Sequence, residues 1–282
     1  MDVRTILVGN SLTAGWLAYQ GDLVRAFGHS VDNIGIGGQG ADSIGARYGG
    51  YPAKVSADVV LLGSGAVSIT LNVGPFSDTN SRFPVIVSGI PGTFVSATVS
   101  DSFRSRTFTR DAPGIPTKVW AGTPVLSRFT YRDEWPVFGM GRNGFSQTGA
   151  IPKIIAAIQG CIDWAHADAR EHALVWSIPP FAGEENGAPA RAVLDAANAA
   201  IRDAFPTQWV DLAGYLRSEE ALRSVGRTPT SQDLTDIAAG MTPTTFRTTT
   251  ANTVDAGHFG PLGYAALNLR LMAEYEARDW IS

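Results

Sequence analysis

The sequence predicts a parallel α/β fold interrupted by an all-β insertion, and three observations carry that prediction. Short apolar runs alternate with stretches of helical spacing toward both ends of the chain. A middle block from Gly49 to Asp133 lacks helical periodicity and is rich in β-branched and aromatic residues. The apolar runs flanking that block stop at turn-forming residues, as strands do where they feed loops at one edge of a sheet.

Thr5–Val8 is the first apolar run and meets the turn Gly9-Asn10-Ser11, which reads as a buried strand. From Trp16 to Phe27, the residues Trp16, Leu23, Val24 and Phe27 share helical spacing, and Gly28 ends the pattern. Val31–Ile36 gives a second strand, closing on Gly35, Gly37, Gly38 and Gly40. Within the middle block Val67–Val73 alternates apolar and polar, the period of a half-exposed strand. Arg82–Ile90, Thr93–Ser100, Arg106–Arg110 and Lys118–Val125 read as further strands, punctuated by Pro91-Gly92 and Pro113-Gly114. The α/β alternation resumes at Trp135–Met140, which ends in Gly141-Arg142-Asn143. A helix over Ile151–Ala169, a strand at Ala173–Ile178, a helix over Ala188–Phe205 and a strand at Gln208–Leu212 follow. A short helix at Gln232–Ala239 precedes a C-terminal amphipathic helix, Gly260–Trp280, with Pro261 in its first turn. The expectation is a five-stranded parallel core made of residues 1–48 and 134–282, with residues 49–133 as an inserted β domain.

Composition narrows the function classes. The 282 residues are 44% hydrophobic and 17% charged, enough for a substantial core. A net charge of −4 offers no basic field for nucleic acid or anionic lipid, and the basic side chains include only three lysines. The single cysteine, Cys161, leaves no internal disulfide and no cysteine-built zinc site, and its helical context reads as packing. Met1 to Asn10 runs directly into a strand, so no signal peptide is expected, and no apolar run approaches the ~20 residues that span a membrane. The expectation is a soluble protein, cytoplasmic or carried on a particle such as a virion, with no cofactor and no metal.

The chain has four histidines, and His258 stands out. It sits in Asp255-Ala256-Gly257-His258-Phe259-Gly260-Pro261, expected to be a loop just before the last helix. A general base needs a pKa near neutrality, which imidazole supplies, and Asp255 is close enough in sequence to orient the ring. A polar surface turn would look the same. Ser11 lies where the first strand must turn, the crevice position where open α/β sheets place ligands, though a serine there is also a good helix N-cap. The run Gly35-Ile36-Gly37-Gly38-Gln39-Gly40 formally fits a dinucleotide fingerprint. It follows the second strand rather than the first, however, and is expected to lead into β structure instead of a helix. A backbone N–H of such a turn can instead bind an oxyanion, as can the amide of Asn143.

Four separated elements in one order make a specific pattern. Gly9-Asn10-Ser11-Leu12-Thr13 resembles the Gly-Asp-Ser-Leu block of the SGNH (GDSL-type) hydrolases. Asn33-Ile34-Gly35-Ile36-Gly37-Gly38 is similar to their second block, Gly141-Arg142-Asn143 to their Gly-x-Asn block, and Asp255-Ala256-Gly257-His258 to their Asp-x-x-His block. The resemblance covers 1–48 and 134–282, not the insertion. It implies a flavodoxin-like three-layer α/β/α sandwich, with Ser11 as nucleophile, His258 as base and Asp255 as its orienter. The oxyanion hole it implies is the N–H of Ser11 and of Gly38 plus the Asn143 side chain. Two positions depart from the family pattern: Asn10 stands where Asp is usual, and Gly144 where Asp often follows the Asn.

The family acts on many acyl esters, so the resemblance implies a reaction class and not a substrate. Phe145, Trp176 and Phe181 are candidates to line a small pocket, which favours a short acyl group such as acetyl. The Ser/Thr-rich insertion, with scattered aromatics such as Trp120 and Phe129, resembles the arrangement in phage-tail or cell-surface proteins that deacetylate polysaccharide. The expected substrate is therefore a small acyl ester or an acetylated polysaccharide. The competing expectation is a catalytically silent carbohydrate-binding or structural module that keeps the fold.

Overall fold

Five parallel strands form the central sheet: β1 (Arg4–Gly9), β2 (Ser30–Asn33), β3 (Trp135–Gly139), β4 (Leu174–Trp176) and β5 (Trp209–Val210). Their spatial order is β5-β4-β3-β1-β2, all parallel. The computed structural model describes residues 4–73, 82–95, 105–250 and 253–281. Because side chains alternate across a strand, the register sorts them into two clusters. Leu7, Val137 and Leu174 lie side by side and pack with Leu12, Trp16, Leu23, Leu267 and Leu271. Ile6, Val8, Phe138 and Val175 enter the other cluster with Ile44, Ile154, Ile158, Leu194 and Ile201. Each such buried side chain stabilises the fold by roughly 1.5–3 kcal/mol, so these clusters fix which residues of β1 face which helices.

Most core elements fall where the periodicity puts them, with differences that have local causes. The first helical region divides into helices Ser11–Trp16 and Gly21–Phe27. The long helix divides into Ala150–Trp164 and Ala167–Glu171. Helices Pro189–Ala204, Ser231–Ala238 and Pro261–Ala277 match expectation within a few residues, the last with Pro261 at its start. A helix over Ala41–Tyr48, unforeseen in the sequence, follows the glycine cluster. Gly45 lowers its intrinsic propensity, yet the missing Cβ lets it sit against Tyr51 and Ala157. Short helices Leu212–Leu216 and Glu219–Ser224 were likewise not foreseen. The Asp255–His258 segment is not a loop but part of strand Thr253–Phe259, paired antiparallel with Arg247–Thr250.

The middle block is antiparallel β structure. Strands 53–54, 124–127, 82–87, 90–95, 105–110 and 66–70 adjoin in that order in one sheet. The sheet curls into a half-barrel around Val85, Val87, Phe94, Phe108 and Val125. Its two edges meet at one end, through hydrogen bonds from Ser56 N to Thr70 O (2.8 Å) and from Asn72 N to Lys54 O (2.9 Å). The turn expected at Pro91-Gly92 is at Ser88-Gly89 instead, where positive φ values of 52° and 77° suit a two-residue hairpin. Gly92 lies within strand Ile90–Val95, and the Phe108 ring occupies the space a side chain there would need. Lys118–Val125 is broken into Thr117–Val119 and Pro124–Ser127 around Gly122. The end of the expected strand Thr93–Ser100, from residue 96, lies outside the described residues. Among the described residues no helix is long and apolar enough to cross a membrane.

Glu134, at the foot of β3, is 9% exposed, and its Oε2 has no hydrogen-bond partner. Burial first, and then the charge of Asp32, push its pKa up to about 7 from an ordinary value of 4.5. Between those two values the folded protein holds a proton that the unfolded chain has released, so stability falls as pH rises through that window. Glu134→Gln is expected to raise stability by roughly 1–3 kcal/mol at pH 8 and to change it little at pH 4.5. Urea denaturation at the two pH values checks this.

Candidate functional site

The chain reverses direction immediately after β1. Asn10 caps the helix Ser11–Trp16: its Oδ1 accepts the Leu12 N–H at 3.0 Å. Ser11 is therefore not the cap but the first helical residue, and its hydroxyl is left for another partner. Gly9 has no room for a side chain, because a Cβ would meet Thr13 and the Gly139 carbonyl (2.7 Å). Trp16, fully buried, stacks on Trp176 at 5.1 Å and donates its indole N–H to Asn268 Oδ1. Tyr264 OH donates to Leu12 O at 3.0 Å. The helix bearing Ser11 is thus bolted to the C-terminal helix Pro261–Ala277.

The loop after β2 is pressed against the same turn. Asn33 donates from Nδ2 to Thr13 O (2.7 Å) and accepts the Gly35 N–H at Oδ1 (2.8 Å). Gly35 lies flat on the backbone of Thr13 and Ala14, where any Cβ would collide. Gly37 passes beside Ser11, whose Cβ is 3.8 Å from the position of an added Gly37 Cβ. Gly38 is exposed with φ +74°. From behind, buried Arg47 donates to Ile34 O, to Gln39 Oε1 (3.1 Å) and to Gly9 O (3.3 Å). Gln39 O in turn accepts one N–H of Asn143 at 2.9 Å, and Gly40 bridges Asn143. The second N–H of that amide remains available. Neither Arg47 nor Gln39 carries a sequence signal of its own; only the fold aims Arg47 at three acceptors.

His258 reaches the turn from the C-terminal hairpin. Ser11 Oγ and His258 Nε2 are 3.0 Å apart, and His258 Nδ1 and Asp255 Oδ1 are also 3.0 Å apart. The network assigns the proton to Nδ1, which donates to the carboxylate, leaving Nε2 to accept from the serine hydroxyl. Asp255 Oδ1 also accepts the N–H groups of Gly257 (2.8 Å) and His258 (2.6 Å). Burial works against the charge of Asp255, but these N–H groups and the imidazole outweigh it and hold the carboxyl below its usual range. It stays ionised in weakly acidic solution. The other histidines lie elsewhere: His29 bonds Thr5, His166 bonds Asp133, and His172 stacks on Trp135. Cys161 is buried, and burial raises its thiol pKa well above the ordinary value.

A further pair props the hairpin. Arg142 and Glu184 form a two-pronged ion pair (2.7 and 2.5 Å) with side chains only 12% and 10% exposed. Glu184 also accepts the Phe181 N–H (2.8 Å), and the Phe181 ring lies 4.2 Å under the guanidinium and 5.5 Å from the imidazole of His258. Ala182 N donates to Ala256 O (2.9 Å), so the loop after β4 is laced to the segment carrying His258. Of Phe145 and Trp176, expected to line a small pocket with Phe181, only Trp176 borders the void beside Asn10 and Leu12, and that void is very small. Phe145 and Trp176 are core side chains, because Trp176 is held by its stack on Trp16 and Phe145 by the Arg142 guanidinium. The void beneath Asn10, Leu12 and Trp176 is about 10 Å³, room for a single water at most.

Ser11, His258 and Asp255 therefore form one hydrogen-bonded line at the carboxyl edge of the sheet, beside the point where the chain order reverses between β1 and β3, and Gly38 and Asn143 lie on the adjoining loops, which Gln39 ties together. The arrangement can deprotonate a hydroxyl and offer N–H donors to a developing negative charge. No protein-family model matches this chain, and no curated protein matches it in sequence. Arg142→Met leaves Glu184 as an unpaired buried carboxylate and is expected to cost about 3–5 kcal/mol in urea unfolding. Adding Glu184→Leu to that variant is expected to recover much of the loss, which a double-mutant cycle measures.

Proposed function

We propose that this chain is a serine ester hydrolase of the SGNH (GDSL-type) kind, built on a flavodoxin-like three-layer α/β/α sandwich. It acts on short-chain acyl esters, with O-acetyl groups on carbohydrate as the expected substrate. The observation that carries this reading is the unbroken hydrogen-bonded line from Ser11 Oγ through His258 to Asp255. Ser11 Oγ attacks the ester carbonyl carbon while its proton passes to His258 Nε2. The N–H groups of Ser11 and Gly38 and the Asn143 amide receive the oxyanion. Collapse breaks the C–O bond, and the imidazolium returns its proton to the departing alcohol. Water then attacks the acyl-enzyme with His258 again as base, releasing the acid and restoring Ser11.

The apolar void lined by Asn10, Leu12 and Trp176 holds only about 10 Å³, too little for a long acyl chain, which supports a short acyl group. The two departures from the family pattern have structural roles that do not touch this chemistry. Asn10 supplies the helix cap that an aspartate would supply, and Gly144 adopts φ +85°, where a side chain is disfavoured. They therefore do not favour a silent module.

The test is hydrolysis of p-nitrophenyl acetate, butyrate and octanoate by the wild type and by Ser11→Ala. Activity is expected to be highest on acetate and to fall by about 10³-fold or more in the variant. Asp255→Asn is expected to fall by about 10²–10⁴-fold with KM little changed. Equal rates for wild type and Ser11→Ala would overturn the reading.

A further inference from the structure

An open cleft of about 430 Å³ is lined by Gly38 and Asn143, on the glycine loop and the loop after β3. That volume is in the range of small-molecule sites. Unlike the small, mostly apolar void lined by Asn10, Leu12 and Trp176, this cleft is bordered largely by hydrogen-bonding side chains. Asp42 and Lys153 come from the first turns of helices Ala41–Tyr48 and Ala150–Trp164, Gln147 from the loop after β3, and Asn72 from the insertion. Asn72 is the point that matters most. It follows the strand Ala66–Thr70 in the half-barrel and is pinned there by two hydrogen bonds with Lys54: Asn72 N to Lys54 O (2.9 Å) and Lys54 N to Asn72 Oδ1 (2.6 Å). Its Oδ1 is thus engaged by the insertion's own backbone, leaving the amide NH₂ as a donor on the cleft wall.

We propose that this cleft is the alcohol-side subsite, that its ligand is a neutral polyhydroxylated alcohol such as a sugar unit of a glycan, and that Asn72 of the insertion is a specificity-determining contact. This inference rests on the ester-hydrolase reading above. An ester held with its carbonyl oxygen at Gly38 and Asn143 has two arms, and the polar arm of the site leads into the cleft. The walls present acceptors on Asp42, donors on Asn72 and Lys153, and both on Gln147, the mixture that vicinal hydroxyls satisfy. One charge of each sign favours a neutral sugar over an acidic one. The insertion would then select the alcohol, while the core performs the chemistry on the acyl group.

The experiment compares kcat/KM on mono-O-acetylated neutral oligosaccharides with kcat/KM on p-nitrophenyl acetate, which delivers the same acetyl group from a flat, apolar alcohol. It uses the full chain as wild type, Asn72→Asp, which keeps the acceptor for Lys54 N and removes the donor, and Lys153→Met, which removes an exposed donor from the core side. The sugar-to-nitrophenyl ratio is expected to fall about tenfold in each variant, the equivalent of about one hydrogen bond, mainly through KM on the sugar ester. A ratio unchanged in both variants overturns the subsite. So does a wild type that cleaves ethyl acetate as well as the sugar esters. If p-nitrophenyl acetate is not cleaved in a Ser11-dependent way, the hydrolase reading itself fails, and the two failures are distinct.

Discussion

Docking of the last helix onto the first is the constraint on which the rest of the site depends. Ser11 and His258 are 247 positions apart in the chain, and no local preference brings them together. The helix Pro261–Ala277 closes that distance with three contacts: the Trp16 indole on Asn268, the Tyr264 hydroxyl on Leu12 O, and the Asn268 amide on Tyr19 O (2.9 Å). All three involve polar groups in or beside an apolar cluster, so leaving any of them unpaired would cost about 1–3 kcal/mol. The docking is therefore specific as well as strong. Once the helix is seated, Gly260 and Pro261 set where strand Thr253–Phe259 must end, and His258 arrives at hydrogen-bond distance from the serine.

The other half of the site depends on a buried cation. Arg47 sits behind the glycine loop and spans Gly9 O at the end of β1, Ile34 O and the Gln39 side chain. Gln39 passes the constraint to Asn143 through its carbonyl. Loops ending three different strands are thereby tied into one rigid edge. Preorganised donors stabilise developing charge without reorganising when it appears, and this network is a physical source of such preorganisation. The Arg142–Glu184 pair does the corresponding work for the loop after β4, pressing Phe181 toward His258.

Much of this was legible in the sequence, and the misses have definite causes. The five core strands were visible because strands buried on both faces are short apolar runs that end in turn residues. The helix Ala41–Tyr48 was hidden by Gly45 and by an arginine on its buried face, both of which blur an amphipathic pattern. The strand pair Arg247–Thr250 and Thr253–Phe259 escaped because Thr, Asp and Gly residues there read as loop, and its pairing comes from neighbours that hold it. Among these, Asp236 accepts from Thr244 N (2.6 Å) and from Arg247 (3.2 Å). In the half-barrel Pro91-Gly92 is a strong turn signal in the sequence, whereas the register across Phe83–Phe94 and Val87–Ile90 puts the turn at Ser88-Gly89.

The sequence by itself determined which residue types could act and where along the chain they lay: a serine after the first strand, an amide after the third, and an acid and a histidine before the last helix. Those are local properties, fixed by periodicity and turn chemistry over a few residues. Only the tertiary structure decided that Asn10 rather than Ser11 caps the first helix, and that Phe145 and Trp176 are core side chains. It alone brought Asn72 of the antiparallel middle block to the cleft beside Gly38 and Asn143. The physical reason is that each of these depends on which surfaces are buried against one another across long sequence separations. Packing of that kind is a property of the whole fold, and a local pattern of residues does not encode it.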